Sequence, residues 1–202
     1  MLKLVKIAIT GGVASGKSTV CQFFKELGAY VVNADALAHE LLYPNTDLGQ
    51  QIIRLLGSNI LENGKISRRI IAEKVFKDPK LLEQLEGLLH PAVLHKIEEL
   101  YGQVRREGRH SLFVVEIPLL YEIQGDSFYD VVVAVLADED LAKERFEKAG
   151  FQKTEYDRRM SRQLKPHHKS AKADYTIHNN GSLEDLKKQV IELDRIIHHK
   201  KL

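Results

Sequence analysis

The chain alternates between short apolar runs of strand length and longer segments in which apolar residues recur at helical spacing. The apolar runs carry few charges, as expected of parallel strands that are buried on both faces. Helical patterns lie between most successive runs, which indicates strand–helix crossovers. We predict strands at about residues 4–9, 29–32, 112–115, 131–136 and 175–177.

A long stretch without a convincing strand interrupts this alternation. Residues 46–107 show helical spacing throughout, and they are too many for a simple crossover. We therefore interpret them as a helical insertion. The predicted helices of the insertion cover about residues 48–56, 69–76, 79–89 and 91–106.

The second half of the chain completes the same plan. A charged helical pair, at about 139–148 and 153–164, follows the fourth strand. The C-terminal helix begins at Ser182, which has the form of a capping box with Asp185. The predicted fold class is α/β, a three-layer α/β/α sandwich around a five-stranded parallel sheet. Its core covers about residues 1–45, 108–138 and 170–202.

Composition and charge narrow the class of protein. The 202 residues, 44% of them hydrophobic, suit one globular domain with insertions. The net charge of +2 makes no case for binding to nucleic acid or membranes. No run approaches the roughly 20 apolar residues of a membrane span, and the N-terminal run leads directly into a glycine loop. We therefore expect a cytoplasmic protein.

Cys21 is the single cysteine of the chain, so an intramolecular disulfide is impossible. Its neighbours Val20 and Phe23 are apolar. This setting predicts a buried structural thiol rather than a nucleophile.

The glycine-rich stretch TGGVASGKST follows the first predicted strand and precedes a helix. It matches the Walker A pattern, Gly-x-x-x-x-Gly-Lys-Ser, at every fixed position. Glycines let successive backbone N–H groups turn towards an anion, and the helix adds the positive end of its dipole. Lys17 is placed to reach the β- and γ-phosphates, and the Ser18 hydroxyl to bind Mg²⁺. The predicted nucleotide-binding residues are Gly12, Val13, Ala14, Ser15, Gly16, Lys17, Ser18 and Thr19.

A phosphate loop alone does not distinguish kinases from switches, motors and transporters. The two strings of a GTPase switch, Asp-x-x-Gly and Asn-Lys-x-Asp, occur nowhere in the chain. An ATPase motor needs an apolar strand that ends in an acid, and residues 113–116, Phe-Val-Val-Glu, fit that description. Two classes stay open at this point, a kinase for a small molecule and an ATP-driven conformational machine.

Asp35 follows the second predicted strand, at the sheet edge where open α/β sheets bind ligands. A kinase for an alcohol needs a carboxylate that orients the hydroxyl and accepts its proton. Asp is also a preferred N-cap residue, and here it would cap a helix at about 36–43. Spacing alone favours neither role.

Further segments resemble the dephospho-coenzyme A kinase family, in the family's order and over nearly the whole chain. The most specific combination is Leu-His-Pro at 89–91, Ile-Pro-Leu-Leu-Tyr-Glu at 117–122, Arg-Met-x-x-Gln at 159–163 and Ala-Asp at 173–174. The phosphate loop and the segments NADALAHELL, ENGKISRRIIAEKVFKDP and ADYTIHNNG also match. Together these segments identify the family far more specifically than the phosphate loop does.

The resemblance implies a P-loop NTPase fold of the nucleoside monophosphate kinase type, with an insertion domain and a lid. The family transfers the γ-phosphate of ATP to the 3′-hydroxyl of dephospho-CoA with Mg²⁺. ATP and dephospho-CoA are then the expected partners, without nucleic acid, membrane or an obligatory protein partner. Asp35 matches the family's catalytic aspartate, residues 46–107 its CoA-binding domain and residues 139–169 its lid. The alternatives are another nucleoside or small-alcohol kinase and a nucleotide-dependent switch.

The acceptor residues also follow from this resemblance. Arg68 and Arg69 begin a predicted helix, where cations oppose the helix dipole unless an anion binds there; the alternative is a solvated basic turn. His90 would contact the acceptor, or would end one helix before Pro91 begins the next. The Pro-Leu-Leu loop at 118–120 would line the acceptor pocket, or its side chains would only pack against the rest of the protein. The expected substrate-binding residues are Asp35, Arg68, Arg69, His90, Pro118, Leu119 and Leu120.

The charged pair at 139–169 would close over the triphosphate and neutralise charge in the transition state. Surface arginines are often only solvated, which is the alternative for each lid arginine. Glu116 is a weaker candidate that would hold Mg²⁺ through a water. The expected lid residues are Arg145, Arg159 and Arg162, and the expected catalytic residues are Lys17, Asp35 and Arg145.

The chain departs from the family pattern at four positions. Ala149 stands where a second lid arginine is usual, which leaves the lid assignments open. Ala14 replaces a glycine inside the phosphate loop, so that position must accept a Cβ. Asn33 stands in place of an aspartate and Lys169 in place of an arginine.

Overall fold

The computed structural model describes residues 3–199 of the chain. The strands are β1 (Val5–Gly11), β2 (Tyr30–Asn33), β3 (Leu61–Glu62), β4 (Lys65–Ile66), β5 (Leu112–Glu116), β6 (Val131–Leu136) and β7 (Tyr175–His178). The helices are α1 (Lys17–Glu26), α2 (Ala34–Leu41), α3 (Asp47–Leu56), α4 (Arg68–Val75), α5 (Pro79–Glu107), α6 (Glu139–Lys148), α7 (Lys153–Met160), α8 (Pro166–Lys172) and α9 (Leu183–His199).

The chain divides into two compact units, one of residues 1–33 and 101–202 and the other of residues 34–100. The predicted core ranges extend into residues 1–2 and 200–202, which lie outside the described residues. The assignment of 46–107 as the acceptor-binding insertion and of 139–169 as the lid stays a prediction.

The first unit contains a five-stranded sheet in the order β2–β5–β1–β6–β7. Every pairing in it is parallel, which confirms the predicted α/β class. All seven residues of the central strand β1 are buried. Ile7 and Ile9 pack with α1 and α9 on one face, in one apolar cluster that includes Phe24 and Val190. α8 contacts β1 and β6. The end of α5 contacts β5, where the rings of Tyr101 and Phe113 meet edge to face with 5.3 Å between their centres.

The second unit has an apolar core of its own. Thr46 caps α3 by accepting a 3.0 Å hydrogen bond from the backbone N–H of Gly49. β3 and β4 form a two-residue hairpin, which we did not predict because it is too short to show alternation. Its turn, Asn63-Gly64, was the available signal, and both residues have positive φ. The core residues are Ile52, Leu56, Ile60, Ile66, Ile71, Val75 and Leu85.

Pro91 lies inside one continuous helix, so the predicted break between 79–89 and 91–106 is wrong. A proline inside a helix loses one hydrogen bond and crowds the preceding turn, at a cost of about 3 kcal/mol. Buried Leu85, Val93 and Ile97 lie on both sides of it. Burial of several such side chains, each contributing about 1.5–3 kcal/mol, outweighs that cost.

The C-terminal part matches the prediction except around α8. α7 ends at Met160 instead of about residue 164, and α8 was not predicted. The capping box before α9 is confirmed, since the Asp185 N–H donates to Ser182 Oγ at 3.1 Å and the Ser182 N–H donates to Asp185 Oδ2 at 3.2 Å. Within residues 3–199, no helix combines the length and apolarity needed to cross a membrane.

Candidate active site

The phosphate loop connects β1 to α1, and its two fixed glycines are required by both conformation and space. Gly11 has φ 148° and Gly16 has φ 97°, where a side chain is strained. A Cβ on Gly11 would lie 2.2 Å from the carbonyl oxygen of Val135. A Cβ on Gly16 would lie 2.1 Å from Nδ2 of Asn179. The loop therefore fits closely against the ends of β6 and β7.

Ala14 carries its Cβ in the left-handed region, with φ 52°. A non-glycine residue there is uncommon and strained. Ala14 and Val13 pack against an apolar cluster on α6 and α7 that includes Phe146 and Tyr156. The Val13 N–H also donates to the sulfur of Met160 at 3.5 Å. The methyl group that distinguishes this chain from the family pattern thus contributes to the contact between the loop and the predicted lid.

Lys17 is the first residue of α1 and is buried. Its Nζ donates to the carbonyl oxygen of Gly12 at 2.6 Å and to that of Gly11 at 3.3 Å. The ammonium group therefore lies inside the phosphate loop, where the sequence predicts that it binds the phosphates. Because α1 begins here, the positive end of its dipole adds to the lysine charge.

Ser18, Glu116 and Asn33 form a hydrogen-bonded row at the carboxyl ends of neighbouring strands. Ser18 Oγ donates to Glu116 Oε1 at 2.8 Å, and Asn33 Nδ2 donates to Glu116 Oε2 at 2.8 Å. β2 and β5 place Asn33 directly opposite Glu116. Hydroxyl and carboxylate oxygens are ligands that Mg²⁺ prefers, usually one or two from protein together with phosphate and water. This pair of oxygens therefore fits a nucleotide-bound Mg²⁺.

Asn179 supports the phosphate loop, and sequence reasoning missed it. Its Nδ2 donates to the carbonyl oxygen of Ser15 at 2.8 Å, and the residue is buried. Arg145 Nη1 donates to the carbonyl oxygen of Asn179 at 2.9 Å. Asn179 directly follows β7, and this position at the carboxyl end of a parallel strand was the available signal.

The structure places the predicted lid arginines in different surroundings. Arg145 contacts the residue that supports the phosphate loop. The guanidinium carbon of Arg159 lies 5.3 Å from the ring centre of Phe146 and 5.0 Å from that of Phe151. Arg159 Nη2 also donates to Oε1 of Glu155 at 2.6 Å. Arg162 is exposed beyond the end of α7.

The Pro-Leu-Leu loop follows β5 and contacts β1 through its backbone. The carbonyl oxygen of Pro118 accepts a 3.2 Å hydrogen bond from Thr10 Oγ1. Leu120 is fully buried, so its side chain packs in the interior. Pro118 and Leu119 are half-buried.

In the second unit, Asp35 is an exposed residue in the first turn of α2. The helix begins at Ala34, one residue before it, so the structure does not show Asp35 as the N-cap. A carboxylate in a first turn is favoured by the helix dipole. Burial and the charge of Arg68 lower the pKa of His39, and Asp35 raises it.

The other acceptor candidates are also in this unit. Arg68 Nη1 lies 2.7 Å from Nδ1 of His39. Arg69 forms ion pairs with Glu62 at 2.7 Å and Glu73 at 2.8 Å, and these carboxylates offset its charge at the helix start. His90 is half-buried inside α5 rather than at a helix end. Burial lowers the pKa of His90, against a smaller opposite effect of Glu86.

The parallel sheet and the loop that opens from its central strand define a P-loop fold, and the similar solved structures assign it to the class of P-loop kinases. Shikimate kinase from Acinetobacter baumannii shares this fold, with a TM-score of 0.54 at 16% identity over 100% of this chain and 97% of that one. A protein from Thermus thermophilus is more similar, with a TM-score of 0.82 at 29% identity over 95% and 96% of the two chains. Dephospho-CoA kinase from Campylobacter jejuni has a TM-score of 0.70 at 26% identity over 98% and 100%.

Sequence comparison identifies the family within this class. The dephospho-CoA kinase profile matches residues 5–185. Dephospho-CoA kinase from Chlamydia pneumoniae is 46% identical over 95% of this chain and 96% of its own length. The same enzyme from Protochlamydia amoebophila is 44% identical over 96% of both. The chain belongs to the dephospho-CoA kinase family, and it is therefore an enzyme that transfers a phosphoryl group. The resemblance seen in the sequence is confirmed.

Proposed function

We propose that the chain transfers the γ-phosphate of ATP to the 3′-hydroxyl of the ribose of dephospho-CoA, which yields CoA and ADP. The observation that carries this proposal is the position of Lys17 inside the phosphate loop, with Ser18 hydrogen-bonded to Glu116 beside it, in a chain of this family. Phosphoryl transfer depends mainly on positioning and on neutralising charge. These are the properties that this loop can supply.

ATP is the proposed donor, bound by residues 12–19. Backbone N–H groups of the loop and the α1 dipole would hold the β- and γ-phosphates, and the Lys17 ammonium would neutralise their charge. Arg145 is the proposed lid cation because its contact with Asn179 links it to the loop. Arg159 and Arg162 are proposed to act with it when the lid closes.

Mg²⁺ is the proposed cofactor, held by the Ser18 hydroxyl and, through water, by Glu116. When bound, Mg²⁺ supplies positive charge next to the triphosphate oxygens. The contribution of the protein is the fixed position of the two oxygens, since Asn33 also binds Glu116 and restricts its carboxylate. Such outer contacts keep a ligand in the orientation that the metal needs.

Asp35 is the proposed general base. Its carboxylate would accept the proton of the 3′-hydroxyl as the new bond forms between that oxygen and the γ-phosphorus. The bond from the γ-phosphorus to the β–γ bridging oxygen breaks, and ADP leaves. Support comes from the position of Asp35 in the chain, two residues after Asn33 at the end of β2, and from its exposure.

Acceptor binding is proposed for the insertion at 46–107 and for the loop after β5. Arg68 and His90 are the proposed contacts in the insertion, with Pro118 and Leu119 in the loop. Arg69 is a weaker candidate because two carboxylates already pair with it. We propose the cytoplasm as the compartment, since the reaction consumes ATP.

The test is a coupled assay of purified protein with Mg²⁺-ATP and dephospho-CoA, followed by chromatographic detection of CoA. We expect one CoA for each ADP formed. Shikimate and adenosine serve as control acceptors and should give no product. ADP formation without CoA, or equal turnover of a control acceptor, would overturn the proposed acceptor.

A further inference from the structure

An ion pair between buried Lys169 and half-buried Glu122 has no part in the phosphate-binding contacts described above. Lys169 is on α8 and has no exposed surface. Its Nζ lies 2.9 Å from Oε1 of Glu122. Withdrawing two charges from water is costly, and well-packed apolar residues often stabilise a protein as much as a buried pair does. Stability alone therefore does not explain this pair.

Lys169 joins two segments that are distant in the chain. Its Nζ donates to the carbonyl oxygen of Pro118 at 2.5 Å, in the loop after β5, and to Gln163 Oε1 at 3.4 Å, in the segment after α7. Glu122 Oε1 also accepts a 2.7 Å hydrogen bond from the backbone N–H of Leu164. The pair thus connects the end of the predicted lid to the loop proposed to line the acceptor pocket.

The same network extends to the phosphate loop. The Pro118 carbonyl that Lys169 binds also accepts from Thr10, the residue directly before Gly11. At the start of α8, Pro166 lies so close to the loop that a Cβ on Gly12 would be 3.1 Å from its Cγ. α8 therefore contacts the phosphate loop at one end and anchors the other two segments through its buried lysine.

Burial lowers the pKa of Lys169, and the hydrogen bond and charge of Glu122 act in the opposite direction. Glu122 Oε2 is buried without a hydrogen-bond partner, so Oε1 accepts both from Lys169 and from Leu164. Loss of the lysine would leave a half-buried carboxylate with one backbone partner.

We propose that Lys169 is a positioning residue. With Glu122 it holds segment 161–165, at the end of α7, against loop 117–122, and so sets the position of the predicted lid relative to the phosphate loop. Lys169 acts through these segments and does not touch the reacting atoms. The kinetic part of the test rests on the proposed function, and the structural part does not.

The experiment compares Lys169→Met, Lys169→Arg and the double variant Lys169→Met with Glu122→Met. Hydrogen–deuterium exchange follows the Leu164 amide, which bonds to Glu122, and kcat and KM are measured for ATP and dephospho-CoA. Lys169→Met should speed exchange at Leu164 by at least about tenfold, with strand β1 unchanged. It should lower kcat by about 10- to 100-fold, as small displacements in a site do.

The other two variants distinguish a role of Lys169 in positioning the segments from a role in stabilising the fold. Lys169→Arg keeps the charge and the donors, and should keep kcat within about fivefold of the wild type. The double variant removes both charges of the pair and should recover thermal stability. It should still show low kcat, because no side chain then joins the two segments, and fast exchange at Leu164, because the acceptor of that amide is lost. It also replaces Lys169→Met if that variant does not fold.

Two results would overturn the proposal. One is a folded double variant with wild-type kcat, which would make the pair a matter of stability only. The other is a folded Lys169→Met protein with unchanged exchange at Leu164. If the wild type makes no CoA, the proposed function fails, and the exchange measurements alone decide the role of Lys169.

Discussion

The Ser18 hydroxyl donates a 2.8 Å hydrogen bond to Oε1 of Glu116, a residue 98 positions away in the chain. Asn33 donates to the other oxygen of the same carboxylate at 2.8 Å. The three residues meet because β1 and β2 are both parallel neighbours of β5, so their carboxyl ends reach one edge of the sheet. This row joins the start of α1 to the ends of two strands, and it is where we propose that Mg²⁺ binds.

Replacing the Glu116 carboxylate should weaken the response to Mg²⁺. Glu116→Gln keeps the shape of the side chain and removes its charge. Because outer ligands of a metal typically contribute 10- to 100-fold, we expect the Mg²⁺ concentration for half-maximal rate to rise by about 10-fold or more. Initial rates over a Mg²⁺ series at fixed ATP measure this. Glu192→Gln, on the exposed side of α9, is the control, and superimposable curves for Glu116→Gln and the wild type would contradict the assignment.

Asp35→Asn should lower kcat by about 10²- to 10⁴-fold, because a positioned general base typically contributes that much. The affinity for ATP should stay nearly the same, since the amide keeps the size of the side chain. Steady-state kinetics and calorimetric ATP titration measure the two effects. Glu40→Gln, another exposed acid on α2, is the matched control. Normal turnover by Asp35→Asn would show that this carboxylate has no catalytic role.

Gly16 and Gly28 form a matched pair of variants that tests whether Asn179 leaves room for a side chain at Gly16. Both have left-handed φ, 97° and 94°, but a Cβ at Gly28 would meet nothing within 4 Å. Gly28→Ala should therefore cost only the conformational strain, roughly 1–2 kcal/mol. Gly16→Ala must also displace Asn179, so it should cost more and weaken ATP binding. Urea unfolding and ATP titration test this, and equal losses in the two variants would argue against the contact.

The thiol of Cys21 should be inert in the folded protein. The residue is buried, and burial, reinforced by the charge of Glu116, raises its pKa well above the ordinary range, against a smaller opposite effect of Lys17. A raised pKa keeps the thiol protonated, and the thiolate is the reactive form. A thiol reagent at pH 8 should label the protein only after unfolding in urea. Rapid labelling of the native protein would contradict the buried position.

Most of the sheet could be predicted because parallel strands covered on both faces need nearly continuous apolar runs. The errors fall where local pattern and tertiary packing disagree. Pro91 predicts a helix break, yet burial on both sides keeps α5 continuous. α8 has few apolar residues and its buried residue is Lys169, so its pattern shows no helical spacing.

The residues of the candidate site also fall into two groups, those that could be assigned from the sequence and those that could not. Lys17 and Ser18 could be assigned because the phosphate loop is a local motif with fixed spacing. Asn179 could not, since a single asparagine after a strand is common. The pairing of Arg69 with two glutamates could also not be predicted from the sequence, because one of the glutamates belongs to the short hairpin that we did not predict.

By itself, the sequence determined the phosphate loop, the five strands of the parallel sheet and the family, since these depend on spacing within short segments and on the order of those segments. Only the tertiary structure decided which distant side chains meet there. Glu116 reaches Ser18, Asn179 reaches the loop carbonyl of Ser15, and Lys169 reaches Glu122. The physical reason is that strand order in the sheet and the packing of α8 against β1 and β6 bring these residues together, and both follow from the packing of the whole unit rather than from any local pattern.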